Sequence, residues 1–444
     1  MSAHHFSFVR SLKKTKAFVD FNALKPVFYR VVRLGVMNVA GVALVFLTNY
    51  LLIRVAGETA YGNYSIITVW VNLFLVLVVF GYDDYFIAKV PQLQSRNQSL
   101  RPLLQQALKL TSFVFVVVVA VVILLFLANL LPPVIAGYKV LFFAVLALTT
   151  LFTLLQAFFR SVNLIGLGQV FEKIVRPGLV LAGIFAFYLL QRHVVFESIL
   201  LVHLLSLLAV CLLLIRRLRK ITSMEAITGE FLKPEVKSNL SFLGISLLYL
   251  LSTRLDLIFL SQQVVPQEVG YYNLAARIGD LVGYPLTAIN LVIHTMLSQQ
   301  YAGNNKDRIF QTTARITVFS FGMTAFVFLV ILLFGESILG IFGESYRKSF
   351  PALRILSCSH LVYSLSLPFN AYFMVSQNER LSLASLAANV IATFLLAFFW
   401  VPDMGSRGAA LAVLGGSIVY FLATGLFAFR QYQLGKEQRA ITSK

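Results

Sequence analysis

An all-α membrane protein of about twelve transmembrane helices is the fold class this sequence predicts, and three observations predict it. Of 444 residues, 59% are hydrophobic and 12% are charged, against roughly 25% charged in an average soluble domain. The apolar residues come in blocks of about twenty, the length that crosses about 30 Å of hydrocarbon at 1.5 Å rise per residue. The blocks also lack the short alternating strands of a barrel, so each must satisfy its own backbone hydrogen bonds in lipid as a helix.

In order, the blocks give spans at 32–53, 64–82, 109–131, 138–158, 173–190 and 195–215, then 238–260, 272–297, 314–334, 350–375, 381–401 and 408–429. The organisation follows: an N-terminal segment 1–30, a six-helix bundle 31–215, a linker 216–237, a second six-helix bundle 238–429 and a tail 430–444. The net charge of +19 would suit nucleic acid if it were gathered on a soluble face, so its placement decides. Most Lys and Arg fall on the side of the N-terminus, including Lys13, Lys14, Lys16, Arg216, Arg217, Arg219 and Lys220. The opposite side has Arg54, Lys139, Arg192, Arg347, Lys348 and Arg407, and the span interiors have Arg254, Arg277 and Arg354. This positive-inside pattern puts both termini in the cytoplasm and leaves no need for a nucleic-acid partner.

The N-terminal segment shows no cleavage site after a short apolar stretch. It reads as an interfacial helix, with Lys13, Lys14 and Lys16 meeting anionic lipid and Phe8, Phe18 and Phe21 dipping in, or as a disordered arm. Cys211 and Cys358 lie in separate spans and suggest neither a disulfide nor a thiolate metal cluster.

The two bundles resemble each other. Ala60-Tyr61-Gly62-Asn63-Tyr64 before span two answers Glu268-Val269-Gly270-Tyr271-Tyr272 before span eight, and Gln156-Ala157-Phe158-Phe159 answers Asn370-Ala371-Tyr372-Phe373. The offsets are 208 and 214 residues. An even number of spans per half makes the repeat parallel, with a substrate cavity expected where the halves face each other.

Ionisable residues within spans mark the interior or a wet cavity. Asn273, Arg277, Asp280, Tyr284, Thr287 and His294 form one stripe on span eight. Ser246, Tyr249, Thr253 and Asp256 share a face of span seven, from which Arg254 points away. Span two carries Tyr61, Ser65, Thr68 and Asn72, with Asn72 at the position of Asp280 in the repeat. Span one adds Arg33, Asn38, Thr48 and Asn49, and span ten adds Arg354, Ser357 and Ser364.

A lining of Arg, amide and hydroxyl groups suits phosphates and sugars. From this set, Arg277, Arg33, Arg254, Arg354, Asn38, Asn72, Tyr249, Asn273 and Tyr284 are the candidate substrate contacts. Asp256, Asp280, Asp83 and Asp84 are the candidates for ion coupling or gating. Against these stand plainer readings: Arg277 and Asp280 as a mutual ion pair, Glu172 and Arg176 as an i, i+4 interfacial pair, and His203, His294 and His360 as hydrogen-bonded packing residues without metal-ligand spacing. No P-loop and no catalytic constellation occurs. The largest outer loop, about Gly335 to Ser349, is too short for a lipid-linked-sugar polymerase or ligase of the usual build.

Gly57-Glu58-Thr59-Ala60-Tyr61-Gly62-Asn63-Tyr64, Arg254-Leu255-Asp256 and Glu268-Val269-Gly270-Tyr271-Tyr272-Asn273-Leu274-Ala275 resemble the O-antigen-type polysaccharide flippases of the multidrug/oligosaccharidyl-lipid/polysaccharide exporter superfamily. The resemblance implies two six-helix bundles in a V around a cationic lumen in the bacterial inner membrane. It further implies a cargo of undecaprenyl-diphosphate-linked oligosaccharide moved by alternating access, with a polysaccharide polymerase as partner. It implies no cofactor, and coupling to an H+ or Na+ gradient. Lipid II flippases of the superfamily carry two further spans not found here; its drug exporters are the alternative, and a non-transporting scaffold is a third.

Overall fold

The computed structural model describes residues 21–96, 98–162, 164–191, 195–222, 236–302 and 306–442. Among these residues twelve long helices follow one another and no strand occurs. Helix α1 is Phe21–Ala56. Helix α2 comes in two pieces, Glu58–Val79 and Tyr82–Ser95, followed by α3 (Arg101–Leu127) and α4 (Lys139–Ser161). Helix α5 runs from Ile165–Val170 through a π-helical turn, Phe171–Val175, into Arg176–Gln191, and α6 is Phe196–Thr222. The second half has α7 (Val236–Gln263), α8 (Pro266–Ala302), α9 (Lys306–Phe342) and α10 in two pieces, Phe350–Ser364 and Leu367–Val375. The helical run Glu379–Thr442 is broken at Gly405 (φ 54°, ψ −128°), which divides it into α11 (379–404) and α12 (406–442).

Nine described segments are long and apolar enough to cross a membrane, one of them, Glu379–Gln431, long enough for two crossings. Helices α8 and α10 are not among them, for a physical reason. Helix α8 carries Asn273, Arg277 and Asp280 within two turns, and α10 is interrupted at Leu365 and Ser366, ahead of Pro368. Polar side chains in the one and the break in the other need neighbouring helices to shield them.

Several boundaries move. Helix α9 continues through Gly335 to Phe342, and only a 3-10 turn, Glu344–Ser349, separates it from α10, so the fifteen-residue outer loop is mostly helix. Helix α6 extends to Thr222 and α12 to Thr442, so the tail expected at 430 is largely helical. Helix α1 begins at Phe21, ten residues before the expected bundle start. The rest of the N-terminal segment and most of the linker lie outside the described residues.

The halves meet along α2 and α8 in an informative pattern. Gln267 Nε2 donates to Thr59 Oγ1 at 2.7 Å, and Asn273 Nδ2 to Ser65 Oγ at 2.8 Å. Between them Gly62 faces Gly270: a Cβ on Gly270 would lie 3.2 Å from Gly62 Cα, and a Cβ on Gly62 would overlap the Pro266 carbonyl. All three pairs differ by 208 residues, the repeat offset. Equivalent residues touch each other only on a two-fold axis, as in an isologous dimer interface. The repeat seen in the sequence is thus also the geometry by which the halves join.

Around this crossing Tyr271 bonds the Glu58 carboxylate, Tyr346 packs its ring on Tyr61 and Tyr271, and Arg54 Nη2 donates to the Ile341 carbonyl at 3.1 Å. A second contact lies at the other end. Gly81, with φ 73°, turns α2 so closely past α7 that a Cβ would lie 2.8 Å from Leu243 N. The left-handed φ and the missing Cβ are both needed there. The 156 and 370 motifs also behave alike: Ala157, Phe158, Ala371 and Phe373 are buried, while Gln156 bonds Glu172 and Asn370 accepts from Ser382 at 2.7 Å, each reaching the following helix.

Candidate functional site

A cavity of about 410 Å³ lies between the halves. Helix α1 contributes Gly41, Phe46, Thr48 and Asn49; α2 contributes Tyr64, Thr68 and Asn72; α5 and its π turn contribute Glu172, Lys173 and Arg176; α6 contributes His203. The second half adds Arg254 from α7 and Arg277, Asp280 and Tyr284 from α8. Four cationic side chains therefore face two carboxylates, and the described lining has an excess of two positive charges.

Each charge is placed by a local feature. The π turn adds a residue to one turn of α5, so Glu172 and Arg176 no longer share a face as i and i+4 would in an α-helix. The expected pair is replaced. Glu172 meets Lys173 Nζ at 3.2 Å and accepts from Gln156. Arg176 swings inward, its Nη2 donating to His203 Nε2 at 3.0 Å and its guanidinium lying 5.5 Å from the centre of the Phe152 ring. Since Arg176 can only donate, Nε2 is the acceptor, and His203 carries its proton on Nδ1, which faces the Tyr64 hydroxyl at 2.9 Å. His203 is thus a neutral connector between α2, α5 and α6.

In the second half Arg254 Nη2 meets Asp280 Oδ2 at 3.3 Å, and His360 Nε2 from α10 meets Oδ1 of the same carboxylate at 3.3 Å. The plainer reading that paired Arg277 with Asp280 is corrected, because Asp280 is held by Arg254 and His360 instead. Arg254 lies toward α8, and with Asp280 occupied from two sides Arg277 makes no ion pair among the described residues. Its Nε is buried without a hydrogen-bond partner.

Of the expected substrate contacts, Arg277, Arg254, Asn72 and Tyr284 line the cavity. Tyr249 does not: it is 62% exposed and outside the lining. Arg354 is exposed too, its guanidinium over the Phe350 ring at 5.8 Å. Asn273 is spent on Ser65 in the α2–α8 crossing, and Asn38 is half-buried outside the lining. The Arg33 and His294 side chains lie outside what is described. Asp256 is buried and accepts from Tyr272 of α8 at 2.5 Å, away from the cavity. Asp83 and Asp84 begin the second piece of α2, where the helix dipole favours carboxylates.

The Asp256 contact carries a stability prediction. Tyr272→Phe removes the donor to a buried carboxylate whose Oδ1 is already without a partner, at a cost of about 1–3 kcal/mol. A lowered thermal midpoint in detergent, with ligand binding retained, is the expected result.

Sequence reasoning missed Lys173 and Arg176 as cavity residues and took His203 as packing. No periodicity marks a π turn, and Glu172 at i, i+4 supplied Arg176 with an apparent partner that hid its place in the cavity.

Known structures place this geometry. The MatE family model matches residues 242–401, and no curated protein matches the sequence. An inward-facing multidrug resistance MATE family transporter of the MOP superfamily is 14% identical with a TM-score of 0.71, covering 89% of this chain and 96% of its own. This chain has the MATE transporter fold. The lipid II flippase MurJ, in an inward closed conformation, is 13% identical with a TM-score of 0.68, over 90% of this chain and 87% of its own. A MOP superfamily transporter from Pyrococcus furiosus, whose reversed pocket polarity was taken to suggest a different function, is 15% identical with a TM-score of 0.64, over 90% of this chain and 95% of its own. The fold is therefore shared by proteins described with different cargoes and pocket polarities, and cargo has to be argued from the cavity.

Proposed function

We propose that this protein is a flippase for an anionic lipid-linked saccharide of the undecaprenyl-diphosphate-oligosaccharide type, moved across the bacterial cytoplasmic membrane by alternating access. The observation that carries the reading is Arg277, a cavity guanidinium with no carboxylate of its own, in a lining with two surplus positive charges. A planar fork of donors beside Asn72, Asn49 and Thr48 matches a diphosphate with sugars attached. In this reading the end where α2 and α8 begin faces outward and is closed, and the Lys/Arg-rich side faces the cytoplasm. Coupling to an H+ or Na+ gradient and association with a polysaccharide polymerase belong to the same proposal.

A second reading, export of small molecules, is favoured by the cavity's size, which lies in the roughly 300–1,000 Å³ range of drug-sized sites, and by the likeness to a multidrug transporter. One experiment separates the two. The purified protein in liposomes is given a fluorescent prenyl-diphosphate oligosaccharide in one arm and a fluorescent organic cation in the other. Loss of protection of the saccharide from an impermeant reagent, without cation uptake, supports the flippase. Cation uptake with a static saccharide supports the exporter.

A further inference from the structure

The Asp280 carboxylate is placed by its neighbours in a way that paired charges alone do not require. It follows Gly279 and precedes Gly283 by three residues, and both glycines lie against α10: a Cβ on Gly279 would contact Leu356 Cβ at 3.4 Å, and one on Gly283 would contact His360 Nδ1 at 3.4 Å. The smooth face of α8 lets the His360 ring come alongside, so that its Nε2 reaches Oδ1 while Arg254 holds Oδ2. The carboxylate is shared between a permanent cation that borders the cavity and an imidazole behind it. At the equivalent place in the first half, Asn72 lines the cavity without charge.

We infer that Asp280 is a resident counter-anion, occupying Arg254 while the cavity is empty and yielding it to the anionic group of the cargo, with His360 taking over the carboxylate. The inference rests on the anion-binding reading above and deepens it: the cavity holds a second, latent anion site, Arg254, in addition to Arg277. Asp280 and His360 are positioning residues for that site. While paired, Arg254 and Asp280 cancel each other's charge, so a carboxylate drawn toward His360 leaves the guanidinium to an incoming anion.

Other ionisable groups around this cluster do not replace that exchange. Arg277 and Tyr284 stand on α8 and Asp256 on α7, the last bonded to Tyr272. Tyr420 of α12 stacks on Tyr363, one turn along α10 from His360. On α9, which also packs against α10, Arg315 and Glu336 are exposed.

The test uses the full-length protein in detergent and farnesyl diphosphate as probe, with binding measured by calorimetry. Asp280→Asn keeps the shape and frees Arg254, so the probe should bind about tenfold more tightly, and adding Arg254→Gln should remove that gain. His360→Gln can still donate to Asp280 and should bind the probe about as wild type does, whereas His360→Ala cannot take over the carboxylate and should bind it several-fold more weakly, by roughly the worth of one hydrogen bond to a charged group. If Arg277→Gln weakens binding while Asp280→Asn leaves it unchanged or weaker, the counter-anion is overturned and the anion-binding reading stands. Equal affinities for wild type and His360→Ala overturn the role of His360 even if Asp280→Asn folds poorly. A wild type that does not bind the probe at all overturns both.

Discussion

Gly62→Val is expected to open the protein at the end where α2 and α8 begin. A side chain at this position overlaps the Pro266 carbonyl, a backbone group fixed at the start of α8 that cannot rotate away. Overpacking of this kind costs about 3 kcal/mol or more where nothing can yield, and each 1.4 kcal/mol is tenfold in population. The cost falls only on the state in which Gly62 and Gly270 touch. A protein with an alternative state should therefore leave this one instead of unfolding. Thr68→Cys, placed in the cavity lining in a Cys211→Ser, Cys358→Ser background, reports the change. Its labelling by an impermeant maleimide from that side should rise at least about tenfold with Gly62→Val, with the thermal midpoint little changed. A fallen midpoint without increased labelling would mean that the crossing is a fixed part of the fold.

Arg277→Gln is expected to have the largest effect of any single cavity substitution on cargo binding. Arg254 is held by Asp280, Arg176 by His203 and Lys173 by Glu172, whereas Arg277 has no such partner to lose. Its removal takes away a charged hydrogen bond to cargo worth about 1.5–3 kcal/mol, or roughly ten- to a hundredfold in affinity. Arg354→Gln is the matched control. Its guanidinium is exposed beside Phe350, and translocation in liposomes should stay within about twofold of wild type. Equal losses for the two substitutions would remove Arg277 from its assigned place.

How much of this was legible beforehand differs by level. Span count and the duplication were readable, because lipid demands long apolar runs and because like motifs recur at like offsets. The joining of the halves through those same motifs was not readable, since sequence similarity does not say that the similar parts touch. On α8 the stripe gave Arg277, Asp280 and Tyr284 correctly as one face. It erred at Asn273, because the upper part of that face meets α2 before the cavity begins. On α7 the reading kept Arg254 and Tyr249, on different faces, as candidates alike, and of the two only Arg254 reaches the cavity. Helical periodicity shows that two faces exist but not which neighbour each one meets, and the acid that would draw Arg254 inward, Asp280, lies on another helix. On α5 the π turn shifted Arg176 into the cavity, a change of register that no α-helical spacing contains.

The most direct test of the central claim, that cargo passes a cavity whose α2–α8 end opens and closes, is a reversible clamp. Thr59→Cys and Gln267→Cys replace a pair already in contact across that end. A short bis-methanethiosulfonate joins them in the same Cys211→Ser, Cys358→Ser background. The account predicts that clamped protein in liposomes still binds farnesyl diphosphate but does not translocate prenyl-diphosphate oligosaccharide, and that reduction restores translocation. Translocation at the unclamped rate with the crosslink intact would contradict it.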